Sequence, residues 1–138
     1  MHELLTYTVS DFTDLSVLMQ ELSSNIVFTR ESLERMLADP NSHQYVIREE
    51  GRIVACASLC IFHQPFSTDA TIESVAVSSK MRGKGLGRKL MEHLIDEAVR
   101  MNVDCIHLTS NPSRVAANAL YRKLGFVKKE TNCYVWRG

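Results

Sequence analysis

The stretch Thr71-Ile-Glu-Ser-Val-Ala-Val-Ser-Ser-Lys-Met-Arg-Gly-Lys-Gly-Leu-Gly-Arg-Lys-Leu90 leaves a chain few ways to fold. Its first part, Ile72 to Val77, is apolar and rich in β-branched residues, the composition of a buried strand. Downstream, Leu86, Leu90, Met91, Leu94, Ile95, Ala98 and Val99 recur at intervals of three and four, which is one face of a helix. Gly83, Gly85 and Gly87 lie between the two, interleaved with Arg82, Lys84 and Arg88. A strand, a glycine-rich turn and a helix N-terminus in that order form a cradle for an anion. The first amides of a helix have no intrahelical acceptor, the helix dipole favours negative charge, and glycine lets a bulky phosphate approach the backbone. This turn is therefore expected to hold a pyrophosphate.

The rest of the chain is arranged around that unit. Residues 3–9 read as a first strand. Ser10 or Asp11 can then cap a helix carrying Phe12, Leu15, Leu18, Met19 and Leu22 on one side. A polar break at Ser23-Ser24-Asn25 precedes Thr29, a cap for a short helix with Leu33, Met36 and Leu37, which Asp39-Pro40-Asn41 stops. Gln44–Arg48 and Arg52–Phe62 form a hairpin around Glu49-Glu50-Gly51, and a loop with His63, Pro65 and Phe66 leads to the central strand, Asp69–Val77. After the long helix, Val103–Thr109 is a strand, and Asn111-Pro112 opens a helix that Gly125 ends. A last strand is expected through Tyr134-Val135-Trp136. The order β-α-α-β-β-β-α-β-α-β describes an α/β fold, a mixed central β-sheet flanked by helices, with residues 1–138 as one domain.

Three phosphate motifs compete for the glycine turn. A Walker A loop needs GxxxxGK followed by Ser or Thr, and a dinucleotide fingerprint needs GxGxxG followed by a ribose-binding acid; neither matches. The surviving pattern is Arg82-x-x-Gly85-x-Gly87. It resembles the acyl-CoA signature of the GNAT superfamily of N-acetyltransferases, Q/R-x-x-G-x-G/A. A second block of that family follows as Asn118-x-x-Tyr121-x-Lys123-x-Gly125-Phe126, and the element order is likewise the family's, so the resemblance covers essentially the whole chain.

The resemblance implies acetyl transfer from acetyl-CoA to an amine by direct attack in a ternary complex. Arg82, Gly83, Lys84, Gly85, Leu86, Gly87 and Arg88 would then bind the pyrophosphate. Val75 and Val77 would contact thioester and pantetheine through the main chain, at a place where the central strand stops pairing and leaves an N–H free. Asn118 would hold the pantetheine arm, and Tyr121 would be the general acid for the leaving thiolate. A free tyrosine titrates near ~10 and a thiol near ~8.5, so full transfer is uphill by about 2 kcal/mol. Either the Tyr121 pKa is lowered or its hydroxyl chiefly hydrogen-bonds the sulfur. A lysine-like amine must also lose a proton, at a cost of about 4–5 kcal/mol at neutral pH. Glu73, a carboxylate inside an apolar run, is the candidate base. Strict alternation puts it on the face of Val75 and Val77, which a bulge would change. The alternative reading of Glu73 is a solvent-edge carboxylate.

The acceptor pocket should be walled by Ser23–Phe28, His63–Phe66 and residues near Tyr134. Glu21, Asp69 and Glu73 could favour a cationic acceptor. His107 could reach that cleft, although a hydrogen-bonded core imidazole is the plainer reading, and Asn111 reads as a cap more than a cofactor ligand. No metal-ligand spacing stands out, and the implied reaction needs no metal. Formal net charge is zero, which speaks against a nucleic-acid partner despite the local cluster Lys80–Lys89. No apolar run approaches the roughly 20 residues that span a bilayer, so no membrane partner is expected. Cys56, Cys60, Cys105 and Cys133 contain no CxxC pair and read as buried free thiols of a cytoplasmic protein. A homodimer is compatible with the sequence. A CoA-binding sensor or subunit without turnover is the competing reading.

Overall fold

The structure, a computed structural model, describes residues 1–138 and divides into two compact units, Met1–Leu108 and Thr109–Gly138. The first contains β1 (His2–Glu3), α1 (Val9–Leu22), α2 (Arg30–Ala38), β2 (Ser42–Glu49), β3 (Arg52–Gln64), β4 (Ser67–Val77), a 3₁₀ turn (Ser79–Met81), α3 (Leu86–Arg100) and β5 (Cys105–His107). The strands form one sheet in the order β1-β2-β3-β4-β5. Neighbours are antiparallel except β4 and β5, which α3 connects in parallel. That parallel ladder is short, Asp69 opposite Cys105, Ala70 opposite Ile106 and Thr71 opposite His107. Beyond Thr71 the β5-facing edge of β4 has no partner strand.

Register assigns the faces. Val46, Cys56 and Ala76 lie side by side across β2, β3 and β4 and pack with Leu15, Leu18 and Met19 of α1 and Leu33 of α2. Tyr45, one residue from Val46, turns to the opposite face, where its ring meets His93 of α3 at 5.1 Å, edge to face. Leu90, Met91 and Leu94 of α3 are fully buried, as their spacing predicts. Each such side chain withdrawn from water contributes about 1.5–3 kcal/mol.

Local chemistry explains the helix starts, with one correction. The cap of α1 is Thr8, not Ser10 or Asp11. Thr8 Oγ1 accepts from Asp11 N at 3.1 Å, and Asp11 Oδ2 accepts from Thr8 N at 3.1 Å, a reciprocal capping box. Asp11 is buried and also takes Arg48 Nη1 at 2.6 Å and Nη2 at 3.1 Å. The Arg48 guanidinium holds its carboxyl below the ordinary aspartate range despite burial. Thr29 caps α2 as expected, with Ser32 completing the box. In the β2–β3 hairpin both Glu50 (φ 49°) and Gly51 (φ 77°) are left-handed, the requirement of a two-residue turn that follows sheet twist.

The second unit holds α4 (Val115–Lys123) and no other regular element. The helix begins later than Asn111-Pro112 suggests. Asn111 Oδ1 accepts from Ser113 N at 2.9 Å, so it caps a turn ahead of the helix instead of the helix itself. Residues 126–136 form no strand. Strand propensity measures how well side chains fit a paired, half-covered pleat, and Tyr134, Val135 and Trp136 have no strand beside them and stay exposed.

Candidate active site

Strand β4 carries a β-bulge at the position where the sequence places its chemistry. Ser58 lies opposite Glu73 and Cys56 opposite Ala76, so Ser74 and Val75 together face the single residue Ala57. Ser74 has φ 53°, a left-handed conformation uncommon outside glycine. The bulge withdraws Ser74 and Val75 from the β3 ladder, the interruption needed to leave a main-chain donor free. It also overturns the expected alternation. Ser58 and Ala55, partners of Glu73 and Val77, lie three apart on β3 and so on opposite faces. Glu73 therefore shares the α1/α2 face with Cys56 and Ser58, while Val75 and Val77 face the α3 side. Glu73 is exposed, and its carboxylate makes no ion pair or hydrogen bond with the protein. Its charge helps burial raise the pKa of the Cys60 thiol nearby.

At its C-terminal end β4 runs through the 3₁₀ turn into the glycine turn. Gly83 (φ 80°) and Gly85 (φ 77°) are both left-handed, and a methyl group added at either would meet nothing within 4 Å. Gly85 occupies the cap position of α3 without a side chain to cap it. The first helical bond runs from Lys89 N to Gly85 O at 3.1 Å, leaving the amides of Leu86, Gly87 and Arg88 without helical acceptors. Arg82, Lys84 and Lys89 are exposed around this opening, whereas Arg88 Nε donates to Glu92 at 2.8 Å. The turn is thus open, and the first amides of α3 are uncapped.

A cavity of about 320 Å³ lies on the α1/α2 face of the sheet. Ile26, Val27 and Phe28 line it, together with Met36, Cys56, Ser58 and Ser74. His63–Phe66 does not, because β3 and β4 extend into a tight turn there and Phe66 stands exposed. No charged side chain lines the cavity. Burial pushes the Cys56 thiol up to about 12, which keeps it neutral. The only polar pair in the wall is Gln44 and Ser58, hydrogen-bonded to each other.

The three acids expected to attract a cation are not alike. Glu21 accepts from Ser79 N and Ser79 Oγ, each at 3.0 Å, and ties α1 to the end of β4. Asp69 is buried and accepts from His107 Nε2 at 2.8 Å and Gln64 Nε2 at 3.0 Å. That imidazole bond holds its carboxyl below the ordinary range. Only Glu73 remains free. The Asp69–His107 pairing was not legible in the chain, because the two residues are brought together only by β4–β5 register. The cysteines also differ from expectation: Cys56 is buried and Cys60 partly so, but Cys105 and Cys133 are exposed.

In the second unit, Tyr121 is buried, its ring 6.1 Å from Phe126 in an edge-to-face contact. Asn118 stands one turn earlier. Its Nδ2 donates to Asn111 O at 3.0 Å and Arg114 O at 2.8 Å, so its nitrogen braces the start of α4 and its carbonyl oxygen is the atom left for a ligand.

The acetyltransferase (GNAT) family model matches residues 9–126. The chain belongs to the GNAT family. It is 34% identical over 96 residues to the ribosomal protein bS18-alanine N-acetyltransferase of Escherichia coli K12, covering 67% of this chain and 62% of that protein. It is 35% identical over 80 residues to the L-2,4-diaminobutyric acid acetyltransferase of Halalkalibacterium halodurans, covering 57% of this chain and 41% of the relative. The match thus spans less than two thirds of the length of these curated relatives. A provisionally designated acetyltransferase from Agrobacterium tumefaciens C58 has the same fold, with a TM-score of 0.84, 29% identity and coverage of 95% of this chain and 96% of that one. The α/β architecture expected from the resemblance is therefore the GNAT fold. No helix is long and apolar enough to cross a membrane.

Proposed function

We propose that this GNAT chain, acting as a single domain over residues 1–138 in the cytoplasm, transfers an acetyl group from acetyl-CoA to a primary amine. The observation that carries the reading is a bulged strand whose end leads, through one 3₁₀ turn, into an uncapped, glycine-entered helix N-terminus. Amides between Gly83 and Arg88, with Arg82 and Lys84 beside them, hold the pyrophosphate. The main chain at Val75 and Val77 receives the pantetheine and the thioester oxygen, and Asn118 steadies the pantetheine arm. The amine nitrogen attacks the thioester carbon, its proton leaves to Glu73 or a water that Glu73 holds, and the C–S bond breaks. Tyr121 donates to the departing sulfur.

The relatives' names cover an alanine of a ribosomal protein and a small diamino acid, so acceptor class has to come from this chain's own walls. An apolar cavity without a charged side chain favours an amine whose nearest substituent is neutral and hydrophobic. Screening amino-acid amides with acetyl-CoA, read as free thiol, tests both points. Amides with leucine- or phenylalanine-sized groups should exceed glycinamide in kcat/KM by at least about tenfold, since burying such a group contributes roughly 1.5–3 kcal/mol. A flat profile, or a preference for lysinamide, removes the apolar assignment. Tight CoA binding with no turnover of any amine supports the sensor reading instead.

Glu73→Gln should lower kcat/KM most at low pH, where neutral amine is scarce, and least as pH nears the amine's own pKa. An equal loss at every pH would make Glu73 a structural residue.

A further inference from the structure

We propose that Asp69, Cys105 and His107 form a binding site for a thiophilic divalent cation of the Zn²⁺ class. The three belong to strands whose sequence spacing hides any relation between them. The parallel β4–β5 ladder sets Asp69 opposite Cys105 and Thr71 opposite His107. Cys105 and His107, two apart on β5, project to one face with Asp69. One sulfur, one imidazole nitrogen and one carboxylate oxygen from these residues all lie within 4.8 Å of one another. Ligand atoms around a tetrahedral zinc stand roughly 3.3–3.7 Å apart, so side-chain rotation alone closes the remaining gap.

A second observation at the same place points to an absent ligand. Asp69 is 4% exposed, and its Oδ1 is buried with no hydrogen-bond partner, although Oδ2 takes both His107 and Gln64. A buried carboxylate oxygen left without a donor is rare in folded proteins. The Ser67 hydroxyl, itself buried without a partner, competes with a cation for that oxygen. The donor set selects the ion: thiolate plus imidazole plus carboxylate suits zinc, whereas magnesium and calcium prefer oxygen alone. Cys105 is exposed and the His107 side chain is 39% exposed. An ion here keeps a position open to water, as exchangeable sites do and closed structural sites do not. The assignment does not depend on acetyl transfer.

The 138-residue chain, stripped of metal, should bind ZnCl₂ at one site with micromolar or tighter Kd in competition with a chromophoric chelator. Co²⁺ in place of zinc should give the near-ultraviolet absorption of a cobalt–thiolate bond. Cys105→Ser should abolish that band and weaken zinc binding at least about tenfold, and His107→Gln should weaken it to a similar degree. Neither residue is buried, so both variants should keep the parent's far-ultraviolet circular dichroism; Cys133→Ser should bind as the parent does. The proposal is overturned if cobalt gives no thiolate band, if zinc binds only at millimolar concentration, or if Cys60→Ser or Cys133→Ser removes the signal while Cys105→Ser leaves it.

Discussion

Gly85→Asp should abolish measurable acetyl-CoA binding while leaving the chain folded. Three effects act together at this position. With φ 77°, a residue carrying a Cβ is held in the left-handed region at a cost of about 1–2 kcal/mol. The new carboxylate would also add bulk at the mouth of the turn that the pyrophosphate would otherwise enter. Its charge then opposes the ligand: two like charges about 5 Å apart at an effective dielectric near 20 repel by roughly 3 kcal/mol. Strain of that size is small beside a domain stability of about 5–15 kcal/mol, so the chain stays folded. Calorimetry should show Kd weakened by more than about a hundredfold. Gly85→Ala separates the causes, since it brings strain without charge; open space around the position predicts only a modest loss. An aspartate variant that binds within threefold of the parent would remove the pyrophosphate from this turn.

Tyr121→Phe should lower kcat by about 10²–10³ and change acetyl-CoA affinity by less than about twofold, within the range that one well-placed proton donor supplies. The hydroxyl acts on sulfur only as the C–S bond breaks, so its loss falls on the transition state and not on cofactor binding. A thioester whose thiol has a lower pKa needs the donor less, and the variant's deficit should shrink with it. Equal turnover by parent and variant would exclude Tyr121 from the reaction and leave it as a packing residue beside Phe126.

The parts of the site that were legible in advance are those in which few consecutive residues decide the outcome. Arg82 to Arg88 is one: two left-handed glycines and an amphipathic run make an uncapped helix entry wherever the chain goes. The capping boxes at Thr8 and Thr29 are equally local, although the polar pair Ser10-Asp11 concealed the first, because Asp11 serves as its third residue. The failures have a different origin. Glu73 was assigned a face by strict alternation, and the extra residue at Ser74–Val75 moved it to the other. Residues 126–136 have strand-like side chains, but a strand exists only as half of a pair.

By itself, then, the sequence determined the strand, glycine turn and helix around which the GNAT fold is built, because backbone dihedrals and helical periodicity are settled within a few residues. Only the tertiary structure decided that Glu73 lies on the α1/α2 face of the sheet, that Glu21 is bound to Ser79, and that Asp69 meets His107 and Cys105. Those relations depend on strand register. Register emerges when distant segments compete to bury their apolar faces, and one inserted residue in a ladder reverses every assignment beyond it.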